Sequence, residues 1–218
     1  LRTPLAGIKA AVSSLRSPEV SWSVEDQAEL LATIEDSSDR LHTIVANLLD
    51  LSRLQSDAVR PVVHEVGLDD VVSRTVAQMP QGDRVELRFE PDLPPVLVDA
   101  GLLDRVVANL VDNAVRHSPA DSPVTVATSH VGDRVQLHVV DHGRGVPDSE
   151  KGQIFEAFQR LGDAQAREGL GLGLAVAKGL TEALGGLLIA EDTPGGGLTM
   201  VVDLPAVPAA RDEELSRV

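Results

Sequence analysis

The sequence predicts a helical hairpin followed by an α+β sandwich. Two patterns lead to this prediction. Over the first quarter of the chain, apolar residues recur at alternating spacings of four and three, which is the periodicity of an amphipathic helix. From about residue 60 onward, short segments that alternate between apolar and polar residues, as strands do, are interleaved with helical segments. The 218 residues suffice for one large domain or two small ones.

Composition and charge exclude several classes of function. With a formal net charge of −15, the chain makes a poor partner for nucleic acid or an anionic membrane, because a phosphate backbone demands a basic patch. An acidic surface still suits a basic protein partner, or a nucleotide that arrives with its magnesium. The lack of cysteine rules out disulfides and thiolate metal sites and fits a reducing compartment.

The lengths of the apolar runs and the character of the first residues indicate in which compartment the chain is located. No apolar run reaches the ~18–20 residues that span a bilayer. The opening residues contain no signal peptide and read as the middle of a helix. We therefore expect a fragment of a longer protein that is cytoplasmic and makes no membrane contact of its own.

The first 57 residues are predicted to form the hairpin. The apolar seam of its first helix consists of Leu1, Leu5, Ile8, Val12 and Leu15. The stretch "SPEVSWS" (17–23) breaks the pattern and offers Ser23 as an N-cap, and a second seam runs from about 25 to 56. One hairpin cannot bury its own stripe, so we expect a homodimer in which two hairpins form a four-helix bundle.

The rest of the chain is predicted to be one domain over 58–205, with 206–218 as a tail. Helices are expected at 67–79, 100–119 and 170–184, with a brief helix in "QIFEAF". Strands are expected in 56–66, at 83–90, in "PDLPPVLVD", twice within 122–141, in "GGLLIAE" and in "GGGLTMVVDLP".

Helix 100–119 carries polar residues opposite its apolar stripe. Asn109, Asn113, Arg116 and His117 fall at i, i+4, i+7 and i+8, so they project from one side. Amide oxygens are hard ligands that suit Mg²⁺ beside a phosphate, and a guanidinium neutralises phosphate charge. The alternative is an ordinary solvated helix face, and on this segment alone the two interpretations are equally good.

A second motif, "VVDHGRGVP" (139–147), follows a segment that looks like a buried strand. Asp141 ends that strand, and a carboxylate there can accept a hydrogen bond from an exocyclic amine such as that of adenine. Gly143 and Gly145 would let the backbone pass close to a flat ring. Taken in isolation, the motif is better explained as a glycine-rich turn with a local Asp hydrogen bond.

The third motif, "EGLGLGLAVAKGL" (168–180), places three glycines where a helix begins. The N–H groups and positive dipole end of a helix N-terminus attract anions, and Gly169, Gly171 and Gly173 leave those N–H groups accessible to phosphate. The intervening Leu170 and Leu172 point into the core and belong to the same candidate binding segment. The spacing matches neither a P-loop nor a Rossmann turn. Tight helix–sheet packing explains one or two of the glycines but hardly all three.

In chain order, the motifs N-x-x-x-N-A, D-x-G-x-G, F-x-x-F and G-x-G-x-G resemble the Bergerat-type ATP-binding fold of sensor histidine kinases, over roughly residues 60–205. "NLVDNAVRHSP" resembles the N box, "DHGRGVP" the G1 box, "IFEAFQR" the F box and "GLGLGLAVAKGL" the G2 box. The resemblance implies a mixed sheet packed on helices, with ATP and Mg²⁺ as cofactors.

The resemblance also implies roles for the candidate residues. Asn109 and Asn113 would lie near Mg²⁺, Asp141 would bind the adenine amine, and the G2 glycines would lie at the phosphates. Residues 146–168 would form a mobile lid over ATP. Arg160, at the end of the F box, would reach the phosphates, and His117 stands beside the nucleotide where many relatives have Tyr.

The front of the chain shows a matching resemblance. "LRTPL" is similar to the tail of the H-[DE]-L-R-T-P-L motif of the dimerisation helix, which places the phosphoacceptor His two positions before Leu1 and outside this sequence. Thr3 matches the position associated with dephosphorylation of the response regulator. "SSL" and "ANLLDLSRLQS" are similar to segments of potassium-responsive (Kdp-type) sensor kinases.

The function implied is an ATP-dependent protein-histidine kinase core with a response regulator as its partner. The alternative is a dimeric scaffold whose ATP pocket is occupied but unproductive, and which acts as a phosphatase or docking module. The presence of Asn109, Asn113, Asp141 and the G2 glycines argues against a decayed pocket. A related ATPase without histidine transfer is disfavoured by the attached hairpin.

Overall fold

The structure is a computed structural model that describes residues 2–17, 20–56, 58–159 and 171–208. The chain divides into two compact units, Leu1–Ser52 and Arg53–Val218. Among the helices described, none is long and apolar enough to cross a bilayer.

The first unit contains helix α1 (Arg2–Leu15) and most of helix α2 (Val24–Gln55). A capping box starts α2, because Ser23 Oγ accepts from Asp26 N at 3.0 Å while Asp26 Oδ2 accepts from Ser23 N at 3.3 Å. The indole Nε1 of Trp22 donates to the carbonyl oxygen of Ser14 at 3.0 Å and so holds the turn to the end of α1. The N-cap predicted at Ser23 is therefore present.

The second unit alternates strands and helices. In chain order its elements are β1 (His64–Val66), α3 (Leu68–Gln78), β2 (Val85–Arg88), β3 (Val96–Val98), α4 (Ala100–His117), β4 (Val124–Val131), β5 (Arg134–Val140), α5 (Gly173–Ala183), β6 (Leu187–Asp192) and β7 (Leu198–Pro205). Single 3₁₀ turns at Gly82–Arg84 and Gln153–Phe155 complete the described elements.

The strands form one large mixed sheet and one small sheet. The five-stranded sheet has the order β2-β4-β5-β7-β6, in which β2 and β4 are parallel and the other neighbours are antiparallel. Strands β1 and β3 pair antiparallel beside it. This arrangement is the predicted mixed sheet with helices, and it brings the ends of β5 and β7 together, since Val140 pairs with Thr199.

The core of the second unit is almost entirely aliphatic. Strands β4 and β5 alternate buried and half-buried residues, so one face of the sheet is covered. The face of α4 that carries Leu103, Leu110 and Val111 is fully buried, and so is Val176 of α5. Because the chain has few aromatic residues, leucine and valine supply the apolar area that the two layers bury.

Three predicted helical or strand segments are shorter than expected. The helix predicted at 170–184 begins at Gly173, because Gly171 has φ of +67°, which an α-helix does not accommodate. The helix predicted in "QIFEAF" is one 3₁₀ turn that ends before Phe158, whose φ is +68°. The strand predicted at 83–90 starts only at Val85, since the preceding residues form the other 3₁₀ turn.

The first residues of the predicted tail are bonded to the domain. Ala206 N donates to the carbonyl oxygen of Asp133 at 2.8 Å, and Val207 N donates to that of Pro95 at 2.8 Å. Residues 209–218 lie outside the part of the chain that the structure describes.

Asp99 caps α4 and also holds the segment before β1. Its Oδ1 accepts from Gly101 N at 2.9 Å and Leu102 N at 3.1 Å, which satisfies two unpaired donors of the helix N-terminus. Its Oδ2 accepts from Val62 N at 2.9 Å. The hydrogen bond from Val62 is the largest cause that lowers the pKa of the Asp99 carboxyl below its usual 3.8.

We expect Asp99→Asn to lower the free energy of unfolding at pH 7 by about 1 kcal/mol. The asparagine amide oxygen can still accept from Gly101 N and Leu102 N. Its NH2 group then replaces Oδ2 and faces the N–H of Val62, so that two donors oppose each other. Because the folded pKa is depressed, the stabilisation by the carboxylate is complete above the unfolded pKa and is lost as pH falls through the folded pKa. Urea titrations at pH 7 and pH 3 test this.

Asp121→Asn, at an exposed turn, is the matched control. A difference between Asp99→Asn and wild type that is as large at pH 3 as at pH 7 would contradict an ionised cap.

Candidate functional site

The buried carboxylate of Asp141 lies at the end of β5, where two other segments meet it. Only 4% of Asp141 is exposed. Its Oδ1 accepts from Gly143 N at 2.8 Å and from Leu198 N at 3.1 Å, and its own N–H donates to the carbonyl oxygen of Leu198 at 3.0 Å. Among the residues that the structure describes, no hydrogen bond ends on Oδ2, so this oxygen is the acceptor left for a ligand.

Glycines let three stretches of backbone approach each other around this carboxylate. A Cβ on Gly143 would lie 2.6 Å from the carbonyl oxygen of His117, and one on Gly197 would lie 2.0 Å from that of Asp141. A Cβ on Gly145 would lie 3.0 Å from the carbonyl oxygen of Gly197. Gly145 and Gly197 also have φ of +68° and +119°, which L side chains rarely adopt. The glycines of the D-x-G-x-G motif are therefore required by close packing of backbone on backbone.

The C-terminal end of α4 joins the same cluster. Ser118, the C-cap, is buried, and its Oγ accepts from His142 N at 3.3 Å. His117 is the last residue of α4 and is half-buried, with its carbonyl oxygen against Gly143. The predicted place of the His117 side chain beside a nucleotide remains a prediction.

One predicted Mg²⁺ ligand lies at the start of α5. Asn109 Nδ2 donates to the carbonyl oxygen of Arg105 at 2.9 Å, which fixes the orientation of the amide. A Cβ on Gly173, the first residue of α5, would lie 3.1 Å from Asn109 Oδ1. Asn113 is half-buried one helical turn further along α4. The amide oxygen of Asn109 therefore lies at the N-terminus of a second helix, and the predicted role of Asn113 remains a prediction.

Arg116 is placed less favourably for the role predicted for it. It lies one turn beyond Asp112, exposed, and the two side chains form an i, i+4 ion pair. A phosphate would compete with the Asp112 carboxylate for this guanidinium. The predicted neutralisation of phosphate by Arg116 remains a prediction.

Several predicted site residues cannot be placed in this cluster. Arg160, Gly169 and Leu170 lie outside the described residues. Thr3 is exposed on the first turn of α1, in the first unit. Across the described residues, no group of three or more His, Asp or Glu side chains could hold a metal ion, so a cation here would depend on amide oxygens and ligand phosphates.

The chain on either side of 160–170 is held together. Phe158 N donates to the carbonyl oxygen of Gly171 at 3.0 Å. A Cβ on Gly171 would lie 2.5 Å from the carbonyl oxygen of Gln159. Leu172, directly before α5, is 3% exposed, as the prediction that it points into the core requires. The glycine at 171 therefore allows the close contact with Gln159, and the one at 173 leaves room for Asn109.

Sequence reasoning did not assign the turn before β7 to the site. Gly195, Gly196 and Gly197 all have positive φ, and this turn packs on the D-x-G-x-G backbone. The run of three glycines is visible in the sequence, but its contact with residues 52 or more positions earlier is not.

Lys151 ties the segment after the D-x-G-x-G motif to the end of β6, just before this turn. Its Nζ lies 2.6 Å from Asp148 Oδ1 and 2.9 Å from Asp192 Oδ2. The hydrogen bond with Lys151 lowers the pKa of the Asp148 carboxyl, and the hydrogen bond with Asp148 is the largest cause that raises the pKa of Lys151. Both charges are therefore retained at neutral pH.

The cluster has the chemistry of a nucleotide site. A buried acceptor oxygen suits the amine of a purine, and bare backbone suits a flat ring. The N-terminus of α5, with the amide oxygen of Asn109 beside it, suits a phosphate with its cation.

Comparison with known proteins agrees with a nucleotide site. The model of the histidine kinase-, DNA gyrase B- and HSP90-like ATPases matches residues 98–208, about half of the chain. The chain belongs to this ATPase family.

The hairpin has its own match. The model of the His Kinase A (phospho-acceptor) domain matches residues 1–57. The match to the hairpin domain precedes the match to the ATPase family along the chain, which is the order that the sequence motifs predict. The predicted fold class and the predicted relationship to sensor histidine kinases are confirmed.

Individual relatives share most of this chain. The sensor protein KdpD of Mycobacterium tuberculosis is 48% identical over 94% of the chain, which spans 25% of that protein. The signal transduction histidine-protein kinase/phosphatase MprB of Mycobacterium avium is 38% identical over 95% of the chain and 41% of its own length. The crystal structure of full-length ShkA in complex with AMPPNP has a TM-score of 0.68 and 28% identity, covering 96% of this chain and 44% of ShkA.

We expect Gly197→Ala to destabilise the second unit more than Gly195→Ala does. Both residues have positive φ, but a Cβ on Gly195 meets nothing within 4 Å, whereas one on Gly197 meets the Asp141 backbone. The excess loss in free energy of unfolding should be about 2 kcal/mol or more. Urea unfolding of the two variants measures it, and equal losses would show that Gly197 is not held against Asp141.

Proposed function

We propose that this chain is the ATP-dependent protein-histidine kinase core of a two-component sensor. In this proposal it transfers the γ-phosphoryl group of ATP to a histidine of the dimerisation helix, from which it passes to an aspartate of a response regulator. The observation that carries the proposal is the Asp141 carboxylate, whose Oδ1 is occupied by two backbone donors while Oδ2 remains for the adenine amine. Membership of the ATPase family supports the same ligand.

Mg²⁺ is the second cofactor that we propose. The donor set offers neutral amide oxygens of Asn109 and Asn113, and such ligands suit a Mg²⁺ ion that takes its other oxygens from phosphate and water. Asn109 is already oriented toward the start of α5 by its hydrogen bond to Arg105. When bound, Mg²⁺ neutralises phosphate charge, and the residues of the chain orient the nucleotide.

The work of this site is positioning rather than covalent catalysis. Phosphoryl transfer through a loose transition state needs the phosphates held in line with the acceptor and their charge neutralised. Asp141 would fix the base, and the amides of α4 would fix the metal-bound phosphates. The glycines at the start of α5 would leave its N–H groups to the phosphates, as the motif resemblance implies. Arg116, Arg160 and His117 are further candidates for phosphate or ribose contacts, as the motif resemblance implies.

The hairpin supplies the proposed dimer. Exposed apolar side chains on α1 and α2 include Leu5, Leu31, Val45, Leu48 and Leu49. A second hairpin would cover such residues in a four-helix bundle. We further propose that the chain is the cytoplasmic portion of a membrane-bound sensor and that a response regulator protein docks on it. Thr3 matches the position at which relatives of this type act on that regulator.

We expect Asp141→Asn to weaken ADP binding by at least about 30-fold. Asparagine can keep Oδ1 as the acceptor for Gly143 N and Leu198 N, so the fold is retained. Its amide nitrogen then replaces Oδ2 and faces the adenine amine donor with another donor. Isothermal titration of ADP in magnesium buffer measures the change.

Asp121→Asn again serves as the control, and its ADP affinity should equal that of wild type. Unchanged ADP affinity in Asp141→Asn would remove this carboxylate from adenine recognition. Wild-type protein that shows no heat with ADP or ATP would overturn the proposed function itself.

We expect Asn113→Ala to slow phosphoryl transfer at least about tenfold while ADP affinity in EDTA changes less than about threefold. The reason is that a residue on the metal acts on the phosphates and leaves the adenine pocket unchanged. Transfer is measured from γ-labelled ATP to a separate hairpin that carries the motif histidine.

Equal losses of transfer and of metal-free ADP binding would count against the magnesium role of Asn113. Nucleotide binding by wild type without label on the hairpin would instead favour the regulatory scaffold.

A further inference from the structure

We propose that Arg84 is a positioning residue of the nucleotide site, which acts by holding the C-terminal end of α4 in place. This inference rests on the proposed function, since it concerns the same site. Arg84 ends the 3₁₀ turn before β2 and lies 57 positions from Asp141 in sequence. None of the sequence motifs includes it.

Arg84 binds one carbonyl group in the last turn of α4 and one just after the helix. Its Nη1 donates to the carbonyl oxygen of Val115 at 3.3 Å, and its Nη2 donates to that of Pro119 at 2.8 Å. The last four carbonyls of an α-helix have no partner within the helix, and a cation there also interacts favourably with the helix dipole. One guanidinium therefore fixes the last turn of α4 and the first residues after it.

The position of this guanidinium is costly. Arg84 is half-buried, and its Nε is buried without a hydrogen-bond partner in the described part of the chain. A buried donor that lacks a partner is unfavourable, so Arg84 is not an optimised stabilising contact. The geometry instead suits a residue that binds two separate carbonyl groups at the same time. The planar guanidinium of arginine does this better than the ammonium group of lysine.

A short chain of contacts connects Arg84 to the Asp141 carboxylate. Val115 and Pro119 flank His117 and Ser118, and these two residues touch the D-x-G-x-G loop. Ser118 Oγ accepts from His142 N at 3.3 Å, and the carbonyl oxygen of His117 packs against Gly143. The N–H of Gly143 in turn donates to Asp141 Oδ1. A shift of the α4 end would therefore move the loop that orients the carboxylate.

Arg74, on α3, offers a matched contrast because it also binds α4. Its guanidinium also joins α4 from outside, through bonds of 3.0 and 3.1 Å to the two oxygens of Asp104. Asp104 lies in the second turn of α4, more than three turns before His117. A residue that only fastens α4 to its neighbours should behave like Arg74, whereas a positioning residue should affect the site.

The experiment compares Arg84→Met, Arg84→Lys and Arg74→Met by titration with ADP and by thermal unfolding. We expect Arg84→Met to weaken ADP binding about tenfold, Arg84→Lys to restore part of the loss, and Arg74→Met to change the affinity less than about twofold. Hydrogen exchange adds a second readout, in which the His142 amide should exchange faster in Arg84→Met but not in Arg74→Met.

The outcomes separate the two claims. Wild-type protein that binds ADP, together with Arg84→Met within twofold of its affinity, would overturn the positioning role and leave the proposed function standing. An equal loss in Arg74→Met would also overturn it, because the effect would then be one of general stability. If Arg84→Met does not fold, Arg84→Lys decides: wild-type affinity and wild-type His142 exchange would reject the inference. Failure of wild type to bind ADP would refute the proposed function instead.

Discussion

The site depends on the way one carboxylate is tied into the backbone. Asp141 is paired with Leu198 through its main chain, and its Oδ1 accepts a second bond from the same residue. These contacts join the end of β5 to the start of β7 and leave no space for a side chain at Gly197. The carboxylate orientation is thus set by the sheet and by glycine backbone, so little conformational freedom remains for a ligand to remove.

Helix α4 connects this carboxylate to the residues that we propose for the phosphates. The same helix buries Leu103, Leu110 and Val111 in the core and carries Asn109 and Asn113, which are half-buried. Because both sets of residues share one rigid element, the amide oxygens are held by the core rather than by a loop. Positions on a packed helix are more precise than positions on a loop, which is what in-line phosphoryl transfer requires.

The sequence predicted the elements of the site well and their mutual contacts poorly. Periodicity located α4, and glycine spacing located the two loops, because these are local properties of the chain. The contact of Gly197 with Asp141 joins residues 56 positions apart, and the contacts of Arg84 with Val115 and Pro119 cross 31 and 35 positions. No local pattern marks which distant backbone group a glycine or an arginine approaches. The late start of α5 has the same origin, since Gly171 takes positive φ to meet Gln159.

Because the chain is strongly acidic, binding of the nucleotide phosphates would need several weak favourable contributions together. A protein with a net charge of −15 repels a polyanion, although at physiological ionic strength that repulsion extends only about 8 Å from exposed charges. At the proposed site, the neutral amides and the N-terminus of α5 add no negative charge, and the buried carboxylate of Asp141 would face the base rather than the phosphates. In the function that we propose, a divalent cation shared between amide oxygens and phosphate would complete the neutralisation. An acidic protein can therefore hold an anionic nucleotide without a basic patch, provided that the cation arrives with it.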